Sequence, residues 1–438
     1  MKRAKLKLKR SLGLFEATCY GVGVILGAGI YALIGTGAGI AGNLLWLSFI
    51  IAAMIAIFTG LSYAEMSSIC PKEAAEYNYT RMAFKRKNLS FIVGWIMILS
   101  TVIAAAAVSL GFANYFSHIF GTPIIPTAIG LIAILSIINF SGIKESAKLN
   151  IIETSIEFFG LLLIIVLGFS FIGNSHINYF EMPNNTFVLG GLISSIMVIF
   201  FAYIGFEGIV NISEETKNPT KVIPKALILS IIISTVLYIL VSITAISVLG
   251  WQQLSQSQAP LADVAKAAYP GFNFSLLLSL IALFATSNTV LINLIIGSRV
   301  FYGMSNDHSL PKILSKIHRK RKTPYIAVFI VMILTMLVVS IGNLKTVAVL
   351  TDVAIFIVYF AVNISLIWLR FKEPEIERPF RSPVNIGKLP LLAVIGAISC
   401  IAMILHVEAI LLVGEMIIII IGYLLYLVYQ RFRTIKRG

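Results

Sequence analysis

The chain has 438 residues, of which 58% are hydrophobic and only 12% are charged. Soluble domains carry about 25% charged residues, so this composition excludes a soluble protein and indicates one with many membrane spans. The net charge of +15 does not indicate nucleic-acid binding, because the basic residues lie between apolar segments rather than on one soluble face.

Apolar runs of about 20 residues, long enough to cross a bilayer as a helix, recur along the chain. Twelve spans are predicted, at residues 13–40, 44–69, 89–117, 123–141, 149–173, 187–211, 223–250, 273–303, 324–342, 346–370, 388–406 and 408–430. Lysine and arginine cluster at both termini and in alternate loops, whereas the opposite loops hold only Lys266 and Lys345. Because short basic loops stay in the cytosol, both termini are predicted to be cytosolic.

Two of these spans contain glycines at their centres. Span one includes "GVGVILGAGIY" (Gly21–Tyr31), and span six includes "FFAYIGFEGIV" (Phe200–Val210). Gly23 and Gly27 have the spacing that lets two helices pack closely, a role that can coexist with unwinding of the helix. Transporters built from inverted five-helix repeats place discontinuous helices at corresponding positions of both halves, with the binding site at the gaps.

The spacing of the two breaks predicts the organisation of the chain. We expect an all-α polytopic membrane protein with 12 transmembrane helices in a 5+5 inverted-repeat fold, with discontinuous helices 1 and 6 and two accessory helices. The predicted segments are a cytosolic arm (1–12), the first repeat (13–173), the second repeat (187–370), the accessory helices (388–430) and a cytosolic tail (431–438).

Four segments in chain order resemble the signatures of the amino acid, polyamine and organocation (APC) transporter superfamily. They are the first-helix segment above, "SYAEMSSICP" (Ser62–Pro71), "FFAYIGFEGIVNISEETKNPTKVIP" (Phe200–Pro224) and "SRVFYGMSNDHSLPK" (Ser298–Lys312). The pattern is most similar to amino acid permeases in the cationic amino acid transporter branch and their prokaryotic relatives. The resemblance implies the same inverted-repeat fold and an amino acid substrate.

The loop after Pro71 departs from the pattern of this family. It reads "KEAAEYNY", which introduces Lys72, Glu73 and Glu76 on the side predicted to face the cytosol, so gating there is expected to differ. At the end of span eight, Arg299 and Asp307 are interpreted as an ion pair beside the gate, with solvated charges as the alternative.

An amino acid zwitterion brings both a carboxylate and an ammonium into the membrane, and each needs polar partners there. The amides of Gly27, Ala28 and Gly29 begin the second half of helix 1, so they and the helix dipole are predicted to bind the carboxylate. Ala28 replaces the serine or threonine that is usual in the family, which leaves this task to the backbone. By resemblance, the ammonium would be bound by carbonyl groups, those of Ile25, Phe201 and Ile204.

The side-chain pocket is expected between helices 1, 3, 6, 8 and 10. Phe201 and Phe206 are candidate gate aromatics, with ordinary packing as the alternative. Glu207 either caps the freed amides of helix 6 or meets a cationic substrate side chain, and the capping role is preferred.

Glu157 lies deep in span five, where some proton-coupled relatives carry a lysine. It is interpreted as a proton carrier, or else as a neutral acid bonded to a neighbouring helix. Glu153, one turn earlier, is expected to be solvated. Ser287 and Asn288 in span eight either line an ion or proton path with the first-helix carbonyls or make ordinary interhelical hydrogen bonds.

These features predict a secondary active amino acid transporter in the plasma membrane that works by alternating access. Neutral amino acids and proton coupling are favoured; a cationic amino acid transporter, an exchanger or sodium coupling is the alternative. A non-transporting nutrient sensor is a third candidate, against which the short termini argue. The chain shows no P-loop and no metal-ligand spacing of histidines, so no cofactor, metal, enzyme activity or nucleic-acid partner is predicted.

Overall fold

A computed structural model of the protein describes residues 8, 10–173, 177–183, 188–257, 259–271, 274–341, 344–406 and 409–435. Most of the predicted arm and the last three residues of the predicted tail lie outside these ranges. The described residues are mainly helical. The α-helices are α1 (Leu14–Ala41), α2 (Leu45–Ile69), α3 (Ala75–Phe84), α4 (Lys87–Phe120), α5 (Ile124–Ser141), α6 (Ile143–Gly168), α7 (Val188–Phe200), α8 (Pro219–Gln256), α9 (Pro260–Ala268), α10 (Phe274–Asn306), α11 (Tyr325–Ile341), α12 (Leu344–Lys372), α13 (Leu391–Leu405) and α14 (Ala409–Ile435).

Short 3₁₀ and β segments connect some of these helices. The 3₁₀ segments are Gly42–Leu44, Phe169–Phe171, Phe201–Tyr203, Phe206–Glu215 and Lys312–Ser315. Strands β1 (Asn385–Ile386) and β2 (Leu389–Pro390) form a small antiparallel hairpin before α13, in which Asn385 pairs with Pro390.

Ten segments of the described chain are long and apolar enough to cross a membrane, and two further apolar helices, Tyr325–Ser340 and Leu391–Leu405, are shorter. The predicted all-α polytopic fold is therefore confirmed, while the count of twelve spans and the two-repeat division stay predictions. Helices α3 and α9, with 10 and 9 residues, are too short to span.

The apolar side chains of the long helices face outward as well as inward. On α5, for example, Ile134 and Ile137 are more than half exposed, whereas Leu135 and Asn139 are buried. The buried Asn139 donates a hydrogen bond to the backbone carbonyl of Leu294 in α10, at 3.2 Å. This distribution suits a lipid environment, where the outer surface is apolar and polar groups find partners between helices.

Helix α1 is broken at Gly27, whose φ of −8° and ψ of −151° are not helical. Span six is broken too: α7 ends at Phe200, Ile204 is extended, and Gly205 has a φ of +120°. Residues with a side chain rarely adopt this last conformation, which explains the glycine. The structure thus contains both predicted discontinuities, and the half after the second break is a 3₁₀ helix rather than an α-helix.

The α1 glycines also permit close helix packing. A Cβ added at Gly23 would lie 2.1 Å from Thr154 Oγ1 in α6, and one added at Gly27 would lie 2.1 Å from Thr289 Oγ1 in α10. Helix α1 consequently contacts α6, α7, α8 and α10. The packing role and the unwinding role of these glycines coexist.

Candidate functional site

A cavity of about 50 Å³, enough for a few water molecules, lies between the two helix breaks. Its lining comes from the first, third, sixth, eighth and tenth of the predicted spans. The lining residues are Val24, Ile25, Gly29, Ser100, Thr101, Ala104, Val108, Phe201, Ile204, Gly205, Glu207, Thr289, Asn293, Thr351 and Ile355. The lining is largely apolar, with hydroxyl groups, one amide and one carboxylate.

The first break contributes Ile25 and Gly29 to this lining, whereas Gly27 faces the Thr289 hydroxyl. A Cβ added at Gly29 would lie 2.8 Å from the Cα of Ala202, so only glycine lets the two broken helices approach this closely. The side chain of Ala28 lies outside the described part of the structure. Of the three predicted amide donors, Gly29 is therefore the one that the structure places in the cavity wall.

The Tyr238 hydroxyl of α8 joins the two breaks, and sequence analysis did not identify it. It donates to the carbonyl oxygen of Ile25, and the carbonyl oxygen of Ala202 is 3.1 Å away. A carbonyl oxygen has two lone pairs, so the Ile25 group keeps capacity for a second donor. The only sequence signal for this residue is a hydroxyl group in the middle of an apolar span.

Glu207 caps the second break. One of its carboxylate oxygens accepts hydrogen bonds from the amide of Gly205, at 2.9 Å, and from the Tyr359 hydroxyl, at 2.5 Å. Only 3% of Glu207 is exposed, yet it contributes to the cavity wall. These hydrogen bonds support the preferred interpretation, in which Glu207 caps the amides freed at the break in helix 6.

The two candidate gate aromatics lie in different places. Phe201 lines the cavity, and its carbonyl accepts a hydrogen bond from the amide of Ile204, at 3.2 Å. Phe206 is fully buried and does not line the cavity. Its ring stacks on Tyr359 with centroids 5.1 Å apart and meets Tyr63 edge-on at 6.0 Å. In this structure Phe206 therefore packs against Tyr359 and Tyr63 outside the cavity lining, and its role as a gate aromatic stays a prediction.

A buried polar network connects α6 with α10. Asn288 Nδ2 donates to Glu157 Oε1, at 3.0 Å, and to Thr154 Oγ1, at 3.0 Å, while its Oδ1 accepts from Asn150 Nδ2 at 2.7 Å. Ser287 donates to Glu153 Oε1 at 2.6 Å. Ser287 and Asn288 thus bond to the α6 side chains and not to the first-helix carbonyls.

The expectation that Glu153 is solvated is wrong. Glu153 is 2% exposed and Glu157 is fully buried, because both face α10 rather than water. Among the described residues, no basic side chain forms a salt bridge with either carboxyl group. Each also has one oxygen, Oε2, without a hydrogen-bond partner in the described structure. Buried carboxyl groups in this situation are uncommon in membrane spans and are functional candidates.

Arg299 and Asp307 do not pair with each other, contrary to the sequence interpretation. Arg299 is fully buried and binds both carboxylate oxygens of Glu215, with Nε–Oε2 and Nη2–Oε1 distances of 3.1 and 3.0 Å. Asp307 Oδ2 instead lies 3.7 Å from Arg81 Nε and accepts a hydrogen bond from the Tyr77 hydroxyl. The two pairs tie α10 to span six and to α3 respectively.

The unusual loop after Pro71 is also tied to span six. Glu76 is fully buried, and both its oxygens accept from Asn211 Nδ2 at 3.2 Å, while Asn211 Oδ1 accepts from the amide of Ala75 at 3.0 Å. Burial raises the pKa of Glu76 from its usual 4.5 to about 8 despite these hydrogen bonds. Glu73 is buried as well, and burial raises its pKa.

This burial predicts a pH-dependent stability. Between pH 4.5 and about 8 the unfolded chain releases the Glu76 proton while the folded protein keeps it, so stability falls as pH rises through this range. Glu76→Gln keeps an acceptor for Asn211 but cannot ionise. Over this range the melting temperature of Glu76→Gln should fall less than that of the wild type, by a few degrees, while Glu73, Glu214 and the other buried carboxyl groups supply the remaining pH dependence.

The measurement is a thermal unfolding series in detergent from pH 5 to about 9. Glu375→Gln, at an exposed position in the loop before α13, is the matched control and should follow the wild-type curve. Superimposable curves for Glu76→Gln and the wild type would show that Glu76 ionises freely in the folded protein.

Comparisons with known proteins agree with this geometry. Residues 12–430 match the family described as amino acid permease. The chain is 32% identical to the branched-chain amino acid permease BcaP of Bacillus subtilis, over 97% of this chain and 94% of the relative. It is 30% identical to the methylthioribose transporter of the same organism, with the same coverage. It is 28% identical to cationic amino acid transporter 4 of Mus musculus, over 84% of this chain and 60% of that relative.

The family match and the transporter relatives show that this multi-pass membrane protein is a transporter and not an enzyme. The chain belongs to the amino acid permease family of the APC superfamily, as its sequence motifs predicted. Its function is amino acid transport.

Proposed function

We propose that this permease is a secondary active transporter that moves neutral amino acids across the plasma membrane by alternating access, coupled to protons. The proposal includes twelve spans, two inverted five-helix repeats at 13–173 and 187–370, and cytosolic termini. The cavity flanked by both helix breaks is the observation that carries it. Discontinuous helices at corresponding positions of two repeats are where such transporters bind substrate.

A zwitterionic substrate fits the chemistry of this cavity. The Gly29 amide region supplies donors for a carboxylate, and the carbonyl groups of Ile25 and Phe201 supply acceptors for an ammonium. The rest of the wall is mostly apolar, with Val24, Val108 and Ile355 available for an uncharged side chain. The name of the branched-chain relative points to the same class of substrate.

A cationic substrate is the second candidate, because the carboxylate of Glu207 lies in the cavity wall. Exchange rather than net uptake is a variant of either mechanism.

Uptake of labelled leucine, isoleucine, valine, arginine, lysine and methylthioribose by proteoliposomes separates the candidate substrates. Transport of the branched-chain amino acids but not of arginine, lysine or methylthioribose is the expected result. Exclusive transport of arginine and lysine, or of methylthioribose, would reject the proposal.

The coupling proton is proposed to bind Glu157, with the hydrogen bond from Asn288 orienting the carboxyl group. Two features support this: the group is fully buried, and it has no basic partner among the described residues. A carboxyl group that takes up a proton on one side of the membrane and releases it on the other supports symport when the protein reorients only with both proton and substrate bound, or with neither. Glu153, which lies one turn from Glu157 in α6 and accepts a hydrogen bond from Ser287, is the alternative carrier.

The role of the first break is tested by Gly29→Ala. The added Cβ would lie 2.8 Å from the Ala202 backbone, so the broken helices must move apart and the cavity must change shape. Overpacking of this kind costs roughly 1–3 kcal/mol, and where the substrate-bound state bears this cost, substrate affinity should fall about 5- to 150-fold. The matched control is Gly111→Ala in α4, where an added Cβ meets no atom within 4 Å. Calorimetric titration of both variants measures the effect, and equal affinities would exclude Gly29 from the site.

The role of Glu207 is tested by Glu207→Gln, whose side-chain oxygen can still accept from Gly205 and Tyr359. If Glu207 is a cap, the weaker neutral hydrogen bonds should reduce transport of every substrate by a similar factor, roughly five- to tenfold. A much larger loss for arginine and lysine than for leucine would instead favour the cationic candidate. Competition against labelled substrate in proteoliposomes distinguishes the two outcomes.

The role of Glu157 is tested by Glu157→Gln, which resembles the protonated form. Substrate binding and exchange should persist, within about threefold, because the amide still accepts from Asn288. Acceleration of uptake by an inward proton gradient should be lost. Glu415→Gln is the matched control, since Glu415 is also buried but lies in α14, away from the cavity lining.

Three results would contradict the assignment to Glu157. Gradient-driven accumulation by Glu157→Gln would do so, as would a sodium requirement of the wild type. Loss of gradient acceleration in Glu153→Gln but not in Glu157→Gln would move the proton to Glu153. All three are measured with the same proteoliposomes under imposed gradients.

A further inference from the structure

A second, larger cavity lies at the end of the molecule that is predicted to face the cytosol, away from the breaks. It has a volume of about 520 Å³ and is lined by the end of α10, the loop segment 315–319 and the first residue of α11, Tyr325. Lys316, His318 and Arg319 belong to this lining. The site described above does not use it.

The loop around this cavity has an uncompensated positive charge. Between Lys312 and Lys322 the sequence contains six lysines and arginines and no acidic residue. Lys316 and Arg319 are exposed, and neither forms a salt bridge with a carboxylate of the described residues. Two unpaired cations in a concave site are suited to bind an anion such as a phosphate.

An apolar groove adjoins this cavity on the outer surface. It has a volume of about 390 Å³ and lies between the end of α5 and the start of α11, with Ile137, Phe140 and Phe329 among its lining residues. Ile137 and Phe329 are 63% and 58% exposed, so the groove opens towards the bilayer. Tyr325 lines both spaces.

The basic loop is held in place where the cavity and the apolar groove meet. The His318 ring lies edge-on to Phe140 and to Tyr325, with centroids 5.3 and 6.1 Å apart. Thr323 Oγ1 donates a hydrogen bond to the carbonyl of Phe140 at 2.9 Å. These contacts hold the basic loop against α5, at the polar end of the apolar groove.

We propose that the cavity and the groove together bind one anionic phospholipid. Lys316 and Arg319 bind the phosphate and the anionic headgroup, and one acyl chain lies between α5 and α11. Charge complementarity selects an anionic lipid over a zwitterionic one, since basic residues near the membrane surface attract anionic headgroups. The apolar groove that continues from the basic cavity selects an amphiphile over a soluble anion.

Tryptophan quenching by brominated lipids tests this proposal in the detergent-solubilised protein. Phe329→Trp places a reporter in the groove, and Ile134→Trp, exposed on α5 but outside the groove lining, is the control reporter. Brominated phosphatidylglycerol should quench the groove reporter at about tenfold lower lipid content than brominated phosphatidylcholine does. The control reporter should show no such preference.

Charge reversal then tests the headgroup site. Lys316→Glu combined with Arg319→Glu should abolish the preference at the groove reporter. Lys221→Glu combined with Lys225→Glu, at exposed positions of α8, makes the same charge change and should retain it. Monodisperse elution on gel filtration checks that each variant is folded.

Four outcomes would overturn the proposal. The first three are equal quenching of the groove reporter by the two lipids, an unchanged preference after reversal of Lys316 and Arg319, and loss of the preference with Lys221 and Lys225 reversed. Abolition of the preference by inorganic phosphate at constant ionic strength would also overturn it, since the site would then bind a soluble anion.

Discussion

The architecture depends on one constraint: backbone groups released by a helix break inside a membrane need hydrogen-bond partners, because lipid offers none. In this permease, Tyr238 from another helix and Glu207 from the broken span itself supply them. Tyr238 in α8 bonds across to the carbonyl groups of both breaks, and Tyr359 in α12 holds Glu207 against the Gly205 amide. These contacts join four spans around one small cavity, so the breaks are fixed in position although they lack regular helical bonds.

Buried charges in the protein fall into two groups with different consequences. The Glu215–Arg299 and Glu65–Arg370 pairs are bidentate and nearly inaccessible to solvent. Removing Glu215 or Arg299 leaves the other as an uncompensated buried charge, which costs about 3–5 kcal/mol, whereas Glu65 also pairs with Arg378, whose Nε lies 3.2 Å from Oε1. Glu153 and Glu157 have hydrogen-bond donors but no basic partner among the described residues. A carboxyl group of this second kind is available to exchange a proton, whereas one held in a bidentate pair is not.

The parts of the structure that depend on local sequence were predictable. Apolar runs specify the long helices, and glycines at Gly27 and Gly205 mark breaks because few other residues tolerate the required backbone or the close contacts. The partners of buried polar groups were not predictable. Tyr238 lies 213 residues from Ile25, and Glu215 rather than Asp307 pairs with Arg299 from 84 residues away. Nothing in the local pattern specifies which distant helix face meets a given side chain, and for the same reason Glu153 was wrongly expected to be solvated.

The same packing links the proposed proton site with the substrate cavity. Asn288 and Thr289 are consecutive in α10: the first donates to Glu157, and the second lies against Gly27 at the break and lines the cavity. A Cβ at Gly27 would lie 2.1 Å from the Thr289 hydroxyl, so the two helices have no free space between them at this point. If Glu157 carries the proton, gaining or losing it changes the hydrogen bond with Asn288. A resulting shift of α10 also moves Thr289, which lies against the break in α1 at Gly27. Because packed interfaces change between discrete arrangements rather than deforming continuously, this contact gives proton binding a direct physical route to the shape of the cavity.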